Sequence, residues 1–117
     1  MGAERRQSVR IKRTLMMHYR LAGQEAWKRN RVIDIGERGM CFVSSGHILE
    51  NKRIAVRLKL PIKPPDVLEI QGHVIGSKAK RSAITLTRIE FQRLSARKLE
   101  VLREYIAWVL IKERGAK

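Results

Sequence analysis

Hydrophobic and polar residues alternate along most of this chain. Between Thr14 and Leu21 the apolar side chains recur at every second position, and "RIAVRLKL" at 53–60 repeats that period. A period of two is typical of a β-strand with one buried face. The pattern predicts six strands, which cover residues 14–21, 26–34, 39–45, 53–60, 67–77 and 82–91.

The predicted strands are short, and most are joined by polar turns such as "AGQE" and "KAKR". In the last strand the apolar phase slips between Leu86 and Ile89, as a β-bulge or a barrel corner would require. Six strands in a chain of 117 residues are typical of a small antiparallel barrel. The predicted fold is therefore all-β with a C-terminal helix: a six-stranded antiparallel β-barrel capped by one α-helix.

The final segment has the period of a helix. Ser95 is the predicted N-cap, and good helix formers continue to about Lys112. One apolar stripe is suited to seal the barrel: Leu99, Leu102, Ile106, Val109 and Leu110. A second stripe of Val101, Tyr105 and Trp108 lies beside it, and it indicates either a deeply buried helix or a surface for a partner or a second copy.

These boundaries divide the chain into four parts. Residues 1–13 form a flexible basic arm, 14–93 the β-barrel, 94–113 the C-terminal helix and 114–117 a tail. The chain is long enough to bury a core of its own, and its 44% hydrophobic content is typical of a folded domain.

Charge sets this sequence apart more than hydrophobicity does. Its 26 lysines and arginines exceed its 11 acidic residues by 15, which predicts an anionic partner such as nucleic acid, a nucleotide or a lipid headgroup. The one cysteine, Cys41, cannot form a disulfide within the chain. No apolar run reaches the roughly 18 residues that would span a membrane, so we expect a cytoplasmic protein.

Neither catalysis nor metal binding is indicated. His18, His47 and His73 are scattered without the spacing of metal ligands. No Ser/His/Asp, Cys/His or paired-carboxylate arrangement marks a reaction centre. We expect a binding protein that is not an enzyme and carries no cofactor.

The basic arm contains the first of two candidate binding motifs. Arg6 and Arg10 form an RxxxR pair, and Arg5 precedes it directly. A guanidinium group presents a planar fork of donors that matches phosphate oxygens or the O6/N7 edge of guanine, and it also stacks on a purine. Taken alone, such an arm is also typical of a solvated tail.

The second motif is "DIGERG", residues 34–39, at the end of the second predicted strand. Asp34 can accept hydrogen bonds from a guanine N1/N2 edge or from its own turn. Gly36 and Gly39 permit a positive φ and a close approach of a ligand to the main chain. Taken alone, this stretch also fits a simple turn. One hairpin separates the two motifs, so we expect them to form one site.

The combination of these motifs with a six-stranded barrel and a closing helix resembles the PilZ domain family, bacterial receptors for the second messenger cyclic di-GMP. The resemblance extends from Arg5 to about Leu110 and includes "RLKLP" and "RIEFQRLS". Two positions depart from the family pattern. Gly36 stands where the family has serine, which removes a hydroxyl contact to the ligand, and Arg88 stands where a glycine is common.

The resemblance implies a ligand site. Arg6 and Arg10 would grip phosphates and guanine Hoogsteen edges, Asp34 would read a second base edge, and Gly36 and Gly39 would shape the floor. An arginine in the place of Arg5 accompanies binding of an intercalated ligand dimer in this family, so two ligand molecules per chain are expected.

The resemblance also implies how ligand binding would be transmitted to other proteins. The receptor would act by altered association with a downstream protein, in motility, exopolysaccharide or biofilm formation, or virulence. The face of Val101, Tyr105 and Trp108 is the candidate surface for that protein.

Two other functions fit the sequence. One is a basic barrel that binds nucleic acid without sequence preference through the remaining cations, among them Lys28, Arg29, Arg31, Lys78, Lys80 and Arg81. The other is a degenerate adaptor that keeps the fold and binds no ligand.

Overall fold

The six predicted strands close into one antiparallel barrel. The computed structural model describes residues 10–62, 66–80 and 83–115. Its elements are β1 (Arg10–Leu21), β2 (Lys28–Gly36), β3 (Gly39–Ser44), β4 (Arg53–Leu60), β5 (Asp66–Ala79), β6 (Thr85–Phe91) and α1 (Ala96–Gly115). The order around the barrel is β1-β2-β3-β6-β5-β4, and β1 also pairs with β4 to close it. The predicted fold is confirmed.

The first strand begins earlier than the alternating pattern indicates. β1 starts at Arg10 rather than at residue 14, because Ile11 points into the core with 3% exposure and Arg10 pairs with Gly36 of β2. The second arginine of the RxxxR motif therefore belongs to the barrel wall and not to the arm. The rest of the predicted arm, residues 1–9, lies outside the described residues.

The core follows the predicted alternation. Leu15, Met17 and Tyr19 of β1 face inward, as do all four apolar positions of β4 that the pattern selects: Ile54, Val56, Leu58 and Leu60. The inward side chains from the other strands join them in one cluster. The outer surface of the barrel is consequently available for polar and charged groups.

The predicted phase slip in the last strand is wrong. β6 alternates without interruption, and two of its inward residues are Thr85 and Thr87, which the apolar pattern passes over. The Thr87 hydroxyl lies 2.7 Å from that of Ser44 and 2.9 Å from that of Ser77, so this polar position is satisfied inside the barrel. The irregularity lies in β5, where the register shifts between Val74 and Gly76.

The helix α1 closes one end of the barrel. The Lys98 amide donates to the Ser95 hydroxyl at 3.2 Å, which confirms the predicted N-cap. The helix begins and ends about two residues later than predicted and buries four side chains against the core: Leu102, Tyr105, Ile106 and Val109. Within the described ranges, no helix is long and apolar enough to cross a lipid bilayer.

The predicted partner face on this helix needs correction. Tyr105 is 1% exposed and belongs to the core, because α1 sits deeply enough for both apolar stripes to reach the barrel. Val101 is half-buried against the same core. Of the three predicted contact residues, only Trp108 is substantially exposed, at 37%.

Candidate functional site

The two sequence motifs meet at one end of the β1–β2 hairpin. The register places Arg10 opposite Gly36 and Lys12 opposite Asp34. The Arg10 guanidinium donates from Nη1 to Asp34 Oδ1 at 2.7 Å, across 24 positions of sequence. The arginine side chain is 35% exposed and the carboxylate 16%, so both remain within reach of a ligand. Arg5 and Arg6 lie outside the described residues.

The two glycines of the turn have ordinary backbone conformations. Neither has a positive φ; among the described glycines only Gly23 and Gly46 do. A Cβ at Gly39 would collide with the carbonyl oxygen of Ile89 in β6. Glycine at position 39 therefore allows β3 and β6 to approach closely, and neither motif glycine uses the positive φ that this residue type permits.

A small cleft opens beside this turn. It has a volume of about 120 Å³. Its walls include Arg10, Gly36, Arg38, Gly39 and Glu90. Residues of both motifs therefore line one cleft. They include two guanidinium groups and the two glycines that were predicted to form its floor.

The same face carries three residues that the motif analysis did not assign to the site. The strand registers align Lys12, Asp34, Cys41 and Arg88 in one row across β1, β2, β3 and β6. Lys12 and Arg88 are exposed, and Cys41 is buried between its neighbours with 3% exposure. The relevant sequence signal is Arg88 in place of a family glycine, but its position depends on a strand order that the sequence pattern does not supply.

The electrostatics of Cys41 reflect these neighbours. Burial first, and the negative charge of Asp34 second, raise the pKa of the Cys41 thiol. Three cations act in the opposite direction: Arg88, Arg10 and Lys80. The thiol is thus a neutral, small floor residue in the midst of charged groups.

The turn between β2 and β3 is also tied to the helix. Arg103 Nε of α1 lies 3.1 Å from Glu37 Oε1 in an ion pair, and Glu37 lies between the two motif glycines in the sequence. One short turn therefore faces the cleft through Gly36 and Gly39 and contacts α1 through Glu37.

Several solved structures share this fold. The inhibitor of motility MotI/DgrA of Bacillus subtilis superposes with a TM-score of 0.81 at 17% identity, over 92% of this chain and 52% of that one. This chain thus spans about half of that protein. The PilZ domain of YcgR from Escherichia coli, solved with c-di-GMP, matches with a TM-score of 0.69 at 17% identity and covers 94% of both chains.

A third structure shares the fold at greater distance. A pathogenic protein from Xanthomonas campestris, described as a tetrameric PilZ domain self-assembled through a helical bundle, gives a TM-score of 0.63 at 15% identity. It covers 80% of this chain and 52% of that one. At these identities the three structures establish the fold.

Sequence comparison supplies the family. No curated protein matches this chain. The family model of the PilZ domain matches residues 4–108, which include both motifs, the barrel and most of the helix. The chain is therefore a member of the PilZ domain family.

Proposed function

We propose that this chain is a receptor for cyclic di-GMP that works as an adaptor and not as an enzyme. The observation that carries the proposal is the 2.7 Å ion pair between Arg10 and Asp34, because it brings the RxxxR and DxGxxG motifs into one site. The family to which the chain belongs and the YcgR domain solved with c-di-GMP support the same ligand.

The chemistry of the pair suits a guanine nucleotide. Arg10 offers two parallel donors to a phosphate or to guanine O6 and N7, and Asp34 offers acceptors to guanine N1–H and N2–H. In the ligand-free arrangement the two side chains satisfy each other. Ligand binding therefore exchanges one partly exposed ion pair, worth about 1 kcal/mol, for two sets of charge-assisted hydrogen bonds.

The segment before β1 would complete the site. Arg5 and Arg6 directly precede the strand that holds Arg10, and we propose that they grip the ligand from above the cleft formed by Gly36 and Gly39. In this family an arginine in the place of Arg5 accompanies an intercalated ligand dimer, and the three arginines would offset three of its four phosphate charges. The proposed stoichiometry is two molecules per chain.

Isothermal titration calorimetry with cyclic di-GMP at about physiological salt tests this function. We expect Arg10→Ala and Asp34→Ala to weaken binding by roughly 5- to 150-fold, which corresponds to a loss of about 1–3 kcal/mol. Arg29→Ala, on the exposed part of β2, is the matched control and should bind like the parent. Equal affinities for all four proteins would reject the site, and one ligand per chain would reject the dimer.

A short oligonucleotide titrated in the same buffer separates the receptor from a nonspecific nucleic-acid binder. A receptor binds the cyclic dinucleotide tightly and the oligonucleotide weakly, with a steep loss of the latter as salt rises. If the chain binds neither molecule, the remaining function is that of an adaptor that binds no ligand.

The output surface would lie on the exposed side of α1. Tyr105 and Val101 are engaged with the barrel, so we propose that a partner contacts Trp108 together with Ile111, which is 66% exposed. Trp108→Ala should then weaken co-purification with the partner and leave the calorimetric affinity for cyclic di-GMP unchanged.

A further inference from the structure

A second and larger pocket lies beside the candidate site on the outer surface of the barrel. It has a volume of about 480 Å³, within the range of small-molecule sites. Strands β3, β5 and β6 and the residue after β5 supply its walls, which include Cys41, Gly76, Lys78, Lys80, Leu86 and Arg88. We refer to it as the Cys41 pocket.

The Cys41 pocket is continuous with the row that contains Asp34. Asp34 pairs with Cys41, Cys41 with Arg88, and Arg88 with Gly76. Neighbouring strands are about 4.8 Å apart, so the backbone of Arg88 lies roughly 10 Å from that of Asp34. A single nucleotide spans that distance.

The charge of the pocket is of one sign. Lys78, Lys80 and Arg88 all line it, and no acidic residue does. Within the described part of the chain none of these three forms an ion pair. Three cations around one cavity, without neutralising partners there, favour an anionic occupant.

Gly76 lines the Cys41 pocket, and the backbone does not require a glycine there. A Cβ at Gly39 would strike Ile89, and one at Gly72 would lie 2.5 Å from the Glu90 carbonyl oxygen, so these glycines are required for strand packing. A Cβ at Gly76 would meet nothing within 4 Å, and Gly76 has no positive φ. Neither the φ angle nor strand packing requires a glycine at position 76. Its effect is to leave the pocket open.

We propose that the Cys41 pocket is a phosphate-binding subsite of the ligand site, with Arg88 as its principal donor and Lys78 and Lys80 at its rim. Cys41 and Gly76 form the floor, on which a nucleotide lies with its phosphate toward the cations. The inference rests on the proposed function: the ligand whose guanine contacts Asp34 extends across Cys41 to Arg88.

Two variants test the subsite by different means, one through charge and one through space. Arg88→Ala removes the donor, and Gly76→Leu fills the pocket without altering charge. We expect each to weaken binding of cyclic di-GMP about tenfold in calorimetry. Arg29→Ala on β2 is the control for the loss of a surface charge, and thermal unfolding of Gly76→Leu verifies that the barrel is intact.

The outcomes distinguish this inference from the function on which it rests. If the parent chain does not bind cyclic di-GMP, both are wrong. If Arg10→Ala weakens binding while Arg88→Ala and Gly76→Leu bind like the parent, the subsite alone is wrong. Weakening by Arg88→Ala and Gly76→Leu, with Arg29→Ala unchanged, supports the subsite.

Discussion

Two outer faces of the barrel are both basic, yet their central side chains differ in size and in pairing. On the face over β1 and β4, the Arg57 guanidinium lies 4.0 Å from the centroid of the Trp27 ring and that of Arg20 lies 4.5 Å from it. Arg57 also donates to Glu69 at 3.0 Å. These four side chains cover one another, and we call their surface the filled face. A groove of about 460 Å³ adjoins it.

The face over β3, β5 and β6 is the open face. Its central residues, Gly39, Cys41 and Gly76, have small side chains or none, and Lys78, Lys80 and Arg88 lack ion-pair partners among the described residues. The difference teaches that a positive charge alone does not mark a binding site. What distinguishes the open face is its floor of small residues beside cations that no described neighbour neutralises.

Two glycines of the open face provide the largest expected contrast in stability. Gly39→Ala should lower the free energy of unfolding by about 3 kcal/mol, because the new methyl group meets the Ile89 carbonyl of an adjacent strand. Gly76→Ala should raise it by about 0.5 kcal/mol, since alanine restricts the unfolded chain and meets no obstacle. Urea denaturation of both variants measures this, and equal effects would contradict the distinction between the two glycines.

The filled face should matter for stability and not for the ligand. Trp27→Ala removes two cation–π contacts and should lower the free energy of unfolding by about 1–2 kcal/mol. Affinity for cyclic di-GMP should stay the same. Leu49→Ala, at a side chain that is 69% exposed, is the control and should change neither quantity. A loss of ligand affinity in Trp27→Ala would mean that both faces take part in binding.

Restoring the hydroxyl that the family has at position 36 should increase the affinity for cyclic di-GMP. Gly36→Ser supplies a donor beside Asp34 and should tighten cyclic di-GMP binding about tenfold, which corresponds to about 1.4 kcal/mol. Calorimetry measures the gain, with Ala22→Ser in an exposed turn as the control. An unchanged affinity would show that the ligand makes no hydroxyl contact at this position.

The smallest expected effect concerns the floor of the open face at high pH. Because burial raises the pKa of the Cys41 thiol above its ordinary value of 9.0, the unfolded chain loses this proton more readily than the folded one. The thiol's contribution to stability is therefore complete below about pH 9 and declines as pH rises. Between about pH 8.5 and 10.5, the free energy of unfolding should decline less steeply with pH for Cys41→Ser than for the parent. Denaturation curves recorded across this range measure the difference. Identical slopes would indicate a hydrated floor.

Much of the barrel could be predicted from residue patterns because its core obeys a period of two. β4 was predicted at its observed limits, 53–60, since every inward residue there is apolar. β6 was not, because Thr85 and Thr87 face inward, and the hydroxyl contacts that satisfy Thr87 leave no trace in a hydrophobic pattern. Arg10 was assigned to the arm because one apolar residue, Ile11, is too short a signal to extend a strand.

Part of the candidate site could likewise be predicted from the sequence, and part could not. The proximity of Arg10 and Asp34 could be predicted, since a hairpin and a family resemblance both bring the motifs together. The relation of Cys41 to Arg88 could not, because it depends on β3 pairing with β6 across two intervening strands. Lys78 and Lys80 were evident in the sequence only as surplus charge.

The ion pair between Glu37 and Arg103 sets a limit on communication within the domain. Any partner that takes Arg103 away from the turn alters ligand affinity by the same factor by which the ligand alters affinity for that partner. The two side chains are 32% and 59% exposed, and a pair of that kind contributes at most about 1 kcal/mol. Cooperativity transmitted through this contact alone is therefore no more than about fivefold, so a stronger response requires further contacts between the two sites.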